Sequence, residues 1–299
     1  MSAAVRPIDW TAADGTRLGG TIREPAGAAG RPVLCLPGLT RNGRDFETLA
    51  AALSSGDHPR TVVTMDFRGR GRSAYADPAT YRPDVEAADV VAGLDSLGIE
   101  TPAIVGTSRG GIVTMILAAT APARVGPVVL NDIGPVIETA GLAAIASRMN
   151  LTLGHAITTW DEAVADLKAT MGLTFTTLSD EDWTAVARAM YREDADGRPV
   201  LDYDPRLFDA FATFDPAKGL PPFWPAYLAL GDRPVMVIRG EASDLLSEAT
   251  VAEMAAKLPH VTVLRVPHQG HAPTLTDAPT IAAVRAFLDR ADAADSPSA

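Results

Sequence analysis

The chain has 299 residues, 47% of them hydrophobic and 21% charged, with a formal net charge of −11. These are the proportions of a globular protein, long enough for one large α/β domain or a core carrying an insertion. The acidic balance argues against sequence-independent nucleic-acid binding, which needs a basic surface, and no segment approaches the length of a membrane span.

The single cysteine, Cys35, excludes an internal disulfide and reads as a core thiol within Val33-Leu34-Cys35-Leu36. The stretch from Met1 to Trp10 has no basic region followed by an apolar run. No signal peptide is read there, and a cytoplasmic protein is expected.

In chain order, Ile8 to Trp10 and Leu18 to Ile22 flank Asp14-Gly15 and predict an antiparallel pair. Val33 to Leu36 reads as a buried strand, followed by Phe46, Leu49, Ala50 and Leu53 at helical spacing. Thr61 to Met65 is the next strand. Ala87, Val90, Val91, Leu94 and Leu97 line one helix face after Pro83. Ala103 to Val105 is a strand that runs into a glycine-rich serine motif. Ile112 to Ala119 is apolar nearly all round and predicts a buried helix. Val128 to Leu130 is another strand.

From about Pro135 to Pro222 no strand-like run of comparable strength occurs; this stretch reads as several helices carrying Met149, Trp160, Met171, Trp183, Met190 and Tyr191. Alternation resumes with a strand at Val235 to Arg239, a helix behind a Ser247 cap, a strand at Val261 to Val266 and a helix through Ile281, Val284, Phe287 and Leu288. The rhythm predicts a mostly parallel sheet flanked by helices on both faces. Residues 1–134 and 223–290 are expected to form this core, 135–222 a helical cap over its carboxyl edge, and 291–299 a disordered tail.

Sites in such folds gather at the carboxyl ends of strands. Ser108, in Gly106-Thr107-Ser108-Arg109-Gly110, follows one strand and opens a helix. A serine there needs glycine neighbours so that strand and helix can approach, and the helix start favours developing negative charge. A serine hydroxyl also needs a base. Of the five histidines, His58 reads as solvated, His155 falls in the insertion, and His260 lies at the amino edge of its strand. His268 and His271 both follow the last strand, and His271 is preferred because Gly270 frees the loop to place it.

An orienting carboxylate is then required. Asp244, after Val235–Arg239, is preferred; Asp132, after Val128–Leu130, is the alternative. The oxyanion of a tetrahedral intermediate needs two backbone donors. The amides of Leu39, in the loop after Val33–Leu36, and of Arg109 are the candidates.

These residues resemble the α/β-hydrolase superfamily, in particular its serine-nucleophile, cap-bearing esterase and lactonase branch. The likeness runs through Gly38-Leu39, Asp66-Phe67-Arg68-Gly69-Arg70-Gly71-Arg72-Ser73, the serine elbow, Gly240 to Asp244 and Gly270-His271-Ala272-Pro273. It implies an α/β-hydrolase fold, with catalytic roles for Ser108, Asp244 and His271 and oxyanion roles for Leu39 and Arg109. Serine rather than aspartate at position 108 argues against an epoxide hydrolase or a dehalogenase, and Pro37 stands where many members have histidine.

The expected activity is hydrolysis of a small carboxylic ester or lactone through an acyl-enzyme. A carbon–carbon hydrolase or thioesterase with the same triad is the alternative within enzymes, and a small-molecule receptor retaining the triad is the alternative outside them. Trp160 and the Arg109 side chain are candidate substrate contacts, with a salt bridge to an acidic cap residue as the other reading of Arg109; Arg41 and Arg44 carry the same two readings. No cofactor or metal is implied: no histidine pair has zinc-like helical spacing, and His268 with His271 lacks an obvious third ligand.

Overall fold

The apolar runs become the strands of one eight-stranded sheet. The computed structural model describes residues 3–154, 157–211 and 219–295. In chain order the strands are β1 (Val5–Thr11), β2 (Arg17–Arg23), β3 (Val33–Leu36), β4 (Val62–Asp66), β5 (Ala103–Thr107), β6 (Val128–Asn131), then β9 (Val235–Gly240) and β10 (Val261–Val266), after a separate hairpin of β7 (Tyr191–Glu193) and β8 (Pro199–Leu201). The sheet order is β1-β2-β4-β3-β5-β6-β9-β10. β1 and β2 are antiparallel to their neighbours, and the six strands from β4 to β10 are parallel.

The central strands are buried along their whole length because helices cover both faces. The period of two then sorts their side chains. Leu34, Ile104, Leu130 and Val237 join one cluster with α2 (Pro83–Leu97), α3 (Arg109–Thr120) and α8 (Glu248–Lys257). Cys35, Val105, Val129 and Ile238 join the other, with α1 (Glu47–Leu53) and α9 (Ala278–Asp295). Local signals set the helix ends: Pro83 opens α2, Gly98 closes it in the left-handed region, and the Ser247 side chain accepts from the Thr250 amide to cap α8.

Between β6 and β9 the chain forms α4 (Thr139–Gly154), α5 (Trp160–Met171) and α6 (Asp180–Met190), the β7–β8 hairpin and α7 (Trp224–Leu228). Capping boxes at Thr159/Glu162 and Ser179/Asp182 start α5 and α6. The hairpin corrects the all-helical reading of this stretch: each of its strands is three residues long, too short to set a period of two.

The expected tail from 291 also needs correction. α9 runs to Asp295, Ala291 is buried, and Asp289 and Asp292 both pair with the buried Arg60. That ion-pair network gives the acidic end of the helix a reason to stay folded. Residues 296–299, His155 and the Met149 side chain lie outside the described residues. Among the described residues no helix is long and apolar enough to cross a membrane.

Candidate active site

Ser108 stands between β5 and α3 with φ 49° and ψ −112°, a strained conformation that costs about 1–3 kcal/mol and is found where the surroundings enforce it. The glycines around it are required by close packing. A Cβ at Gly106 would lie 2.7 Å from the Gly110 backbone, one at Gly110 would lie 2.1 Å from the Leu36 carbonyl oxygen, and one at Gly111 would lie 2.3 Å from Ile133. The turn is held from the next strand, where the Asn131 carbonyl accepts the Ser108 amide at 3.0 Å.

His271 Nε2 is 2.9 Å from Ser108 Oγ, and its Nδ1 is 2.8 Å from Asp132 Oδ2. An ionised carboxylate only accepts, so Nδ1 carries the proton and Nε2 is left to accept from the serine hydroxyl. Asp132 is completely buried. Its Oδ1 accepts from the Gly240 amide at 2.8 Å, and its Oδ2 also accepts from Ser243 Oγ at 2.6 Å. Three donors among the described residues hold the carboxylate in place.

The preference for Asp244 is therefore corrected: the carboxylate that meets His271 belongs to Asp132. Strand geometry gives the reason. β5 and β6 are neighbours with Thr107 opposite Asn131, so Ser108 and Asp132 are the next residues along adjacent strands, about 5 Å apart in the pairing direction. β9 lies one strand further on, and Asp244 sits four residues beyond its end, exposed. His58, His260 and His268 are exposed as well.

Leu39 lines the same cavity as Ser108 and His271, and a Cβ at the preceding Gly38 would lie 3.9 Å from Ser108 Cβ. Among the described residues the Leu39 amide donates no backbone hydrogen bond. The Arg109 amide is the first of α3, where no intrahelical acceptor exists. Neither amide has a backbone acceptor among the described residues, and both flank Ser108 in the fold.

The Arg109 side chain does not line the cavity. It bonds Glu86 Oε2 at 2.7 Å through Nε and the Tyr81 carbonyl at 2.9 Å through Nη2. The expectation that it contacts substrate is corrected, and its partner lies on α2 rather than in the segment between β6 and β9. Trp160 is corrected likewise. It packs with Ala163, Leu167 and Trp183 in that segment's own core, and the Arg188 guanidinium lies 3.5 Å from its ring.

The cavity has a volume of about 990 Å³, and Met171, Leu178, Met190 and Tyr191 do reach it. Arg41 and Arg44, also at its wall, are committed to carboxylates: Arg41 binds Asp45 at 2.8 and 2.5 Å, and Arg44 binds Asp202 at 2.7 Å. Asp66 at the end of β4 lines the cavity too. Burial pushes its carboxyl up to about 6, against the backbone donors Arg72 and Gly43. Sequence reasoning missed Ser243, Arg70 and Glu86. A serine in a loop and a helical glutamate carry no local signal of such roles, and Arg70 entered only within a resembling segment.

Residues 33–284 match the profile of the alpha/beta hydrolase family. Over 265 residues the chain is 37% identical to the 3-hydroxybutyrate-oligomer hydrolase of Cupriavidus necator, covering 86% of this chain and 88% of that protein. It is 30% identical to the 2-(acetamidomethylene)succinate hydrolase of Mesorhizobium japonicum, again over 265 residues, covering 87% and 89% of the two chains. The crystal structure of an alpha/beta hydrolase from Novosphingobium aromaticivorans superposes with a TM-score of 0.85 at 39% identity, covering 97% of this chain and all of that one.

Proposed function

The chain belongs to the alpha/beta hydrolase family, and we propose that it is a serine hydrolase cleaving small carboxylic esters through an acyl-enzyme. The observation that carries this reading is the continuous chain Ser108–His271–Asp132, with links of 2.9 and 2.8 Å. Ser108 Oγ attacks the ester carbonyl as His271 Nε2 takes its proton, and Asp132 steadies the imidazolium. The carbonyl oxygen becomes an oxyanion between the amides of Leu39 and Arg109. Collapse expels the alcohol, which receives the proton from His271. Water, deprotonated by His271, then attacks the acyl group and frees Ser108.

Residues 135–222 act as the cap that gives the acyl and alcohol groups their pocket, through Met171, Met190 and Tyr191. The relative named for 3-hydroxybutyrate oligomers makes linear esters of hydroxy acids the first substrates to assay, with lactones of the same acids second. Labelling by a fluorophosphonate probe tests the reading: wild-type protein is labelled once per chain and Ser108→Ala is not. Equal labelling of the variant would remove Ser108 as nucleophile.

A further inference from the structure

An oxyanion hole assembled from two loops works only if their spacing is fixed. Here one donor, Leu39, follows β3 and the other, Arg109, opens α3. A buried charge chain joins them. Arg70 Nε donates to the Leu39 carbonyl at 2.7 Å, so it grips the same residue whose amide is one of the two donors. Arg70 Nη1 donates to Glu86 Oε1 at 2.9 Å and to the Arg68 carbonyl at 2.6 Å. Glu86 Oε2 receives Arg109 Nε at 2.7 Å. The side chains of Glu86 and Arg70 are both completely excluded from solvent, and the Phe67 and Tyr81 rings lie 5.8 and 5.7 Å from the Arg70 guanidinium carbon.

We propose that Glu86 is a positioning residue that sets the distance between the two oxyanion donors, holding Leu39 through Arg70 and Arg109 directly. The proposal rests on the acyl-enzyme reading above. Burying the Arg70 and Glu86 charges is costly, and an apolar filling of the same volume commonly gives equal or better stability. What apolar side chains cannot do is hold a loop carbonyl and a helix's first residue in one register. The chain also separates placement from field. Glu86→Gln removes a negative charge beside the site and makes its surroundings more positive. If the local field were what mattered, the variant would stabilise the oxyanion better; if position matters, it stabilises it worse.

The test uses the full chain, with competent sites counted by fluorophosphonate titration. For Glu86→Gln, kcat per labelled site on p-nitrophenyl butyrate falls about 10- to 100-fold while KM holds. Inhibition by an alkyl trifluoromethyl ketone, whose adduct carries the oxyanion, weakens by the same factor. Arg109→Gln removes one arm at a partly exposed position and decides the matter if Glu86→Gln does not fold: kcat falls by a smaller factor, equally on neutral and anionic esters, and ketone affinity falls in parallel. Wild-type kcat per site, or unchanged ketone affinity, in the folded variant would overturn the proposal. Failure of the acyl-enzyme reading is distinguishable, because turnover would then survive in Ser108→Ala.

Discussion

The loops after β6 and after β9 each carry an aspartate past the end of a parallel strand, and they do different things. Asp132 follows β6 immediately, is fully buried and meets His271. Asp244 lies further out and exposed, and the end of β9 with its loop serves the other one: the Gly240 amide and Ser243 hydroxyl both donate to Asp132. Two carboxylates of one type at one edge of one sheet are thus separated by strand order and reach. The adjacent strand supplies the carboxylate, and the next strand supplies the donors that orient it.

Substitutions separate the parts that the two loops play. The largest effect is expected outside both loops: Ser108→Ala lowers kcat on p-nitrophenyl butyrate by about 10⁶-fold, measured against the variant's own background. Residual turnover within tenfold of wild type would make the comparison of acids irrelevant. Ser243→Ala costs far less. Asp132 keeps Gly240 and His271 as donors, so kcat/KM falls only about tenfold, the worth of one hydrogen bond to a charged group. A loss as large as that from removing the carboxylate would give the β9 loop the leading part.

Stability rather than turnover tests Asp66, a third carboxylate at the same edge, buried without an imidazole. Its carboxyl is raised from 3.8 to about 6, so the folded protein holds this proton more tightly than the unfolded chain. The stability this contributes is full below 3.8 and is lost as pH rises through about 6. Relative to Asp66→Asn, the wild type loses about 3 kcal/mol across that window, readable as a pH-dependent difference in melting temperature. A difference independent of pH would mean that Asp66 ionises normally.

Much of the core was legible because strands buried on both faces read as unbroken apolar runs, as at Val33–Leu36 and Val128–Leu130. The serine elbow was legible because close strand–helix packing demands Gly106, Gly110 and Gly111. The choice between Asp132 and Asp244 was not, because both follow strands and only the sheet order places β6 beside β5. Asp132 also has φ 56°, a left-handed position that aspartate tolerates better than most residues, but that too shows only in the folded chain. Arg109 and Trp160 were misread for a shared reason. A side chain beside the nucleophile, or an aromatic in an insertion, finds its partner through tertiary packing, and Glu86 and Arg188 are distant in sequence from the residues they hold.

The central claim is that Asp132, and not Asp244, orients His271 for attack by Ser108. The direct measurement is kcat/KM on p-nitrophenyl butyrate for Asp132→Asn and Asp244→Asn, side by side and normalised to folded protein. The expected result is a loss of about 10⁴-fold for Asp132→Asn and wild-type activity for Asp244→Asn. The reverse ranking would contradict it.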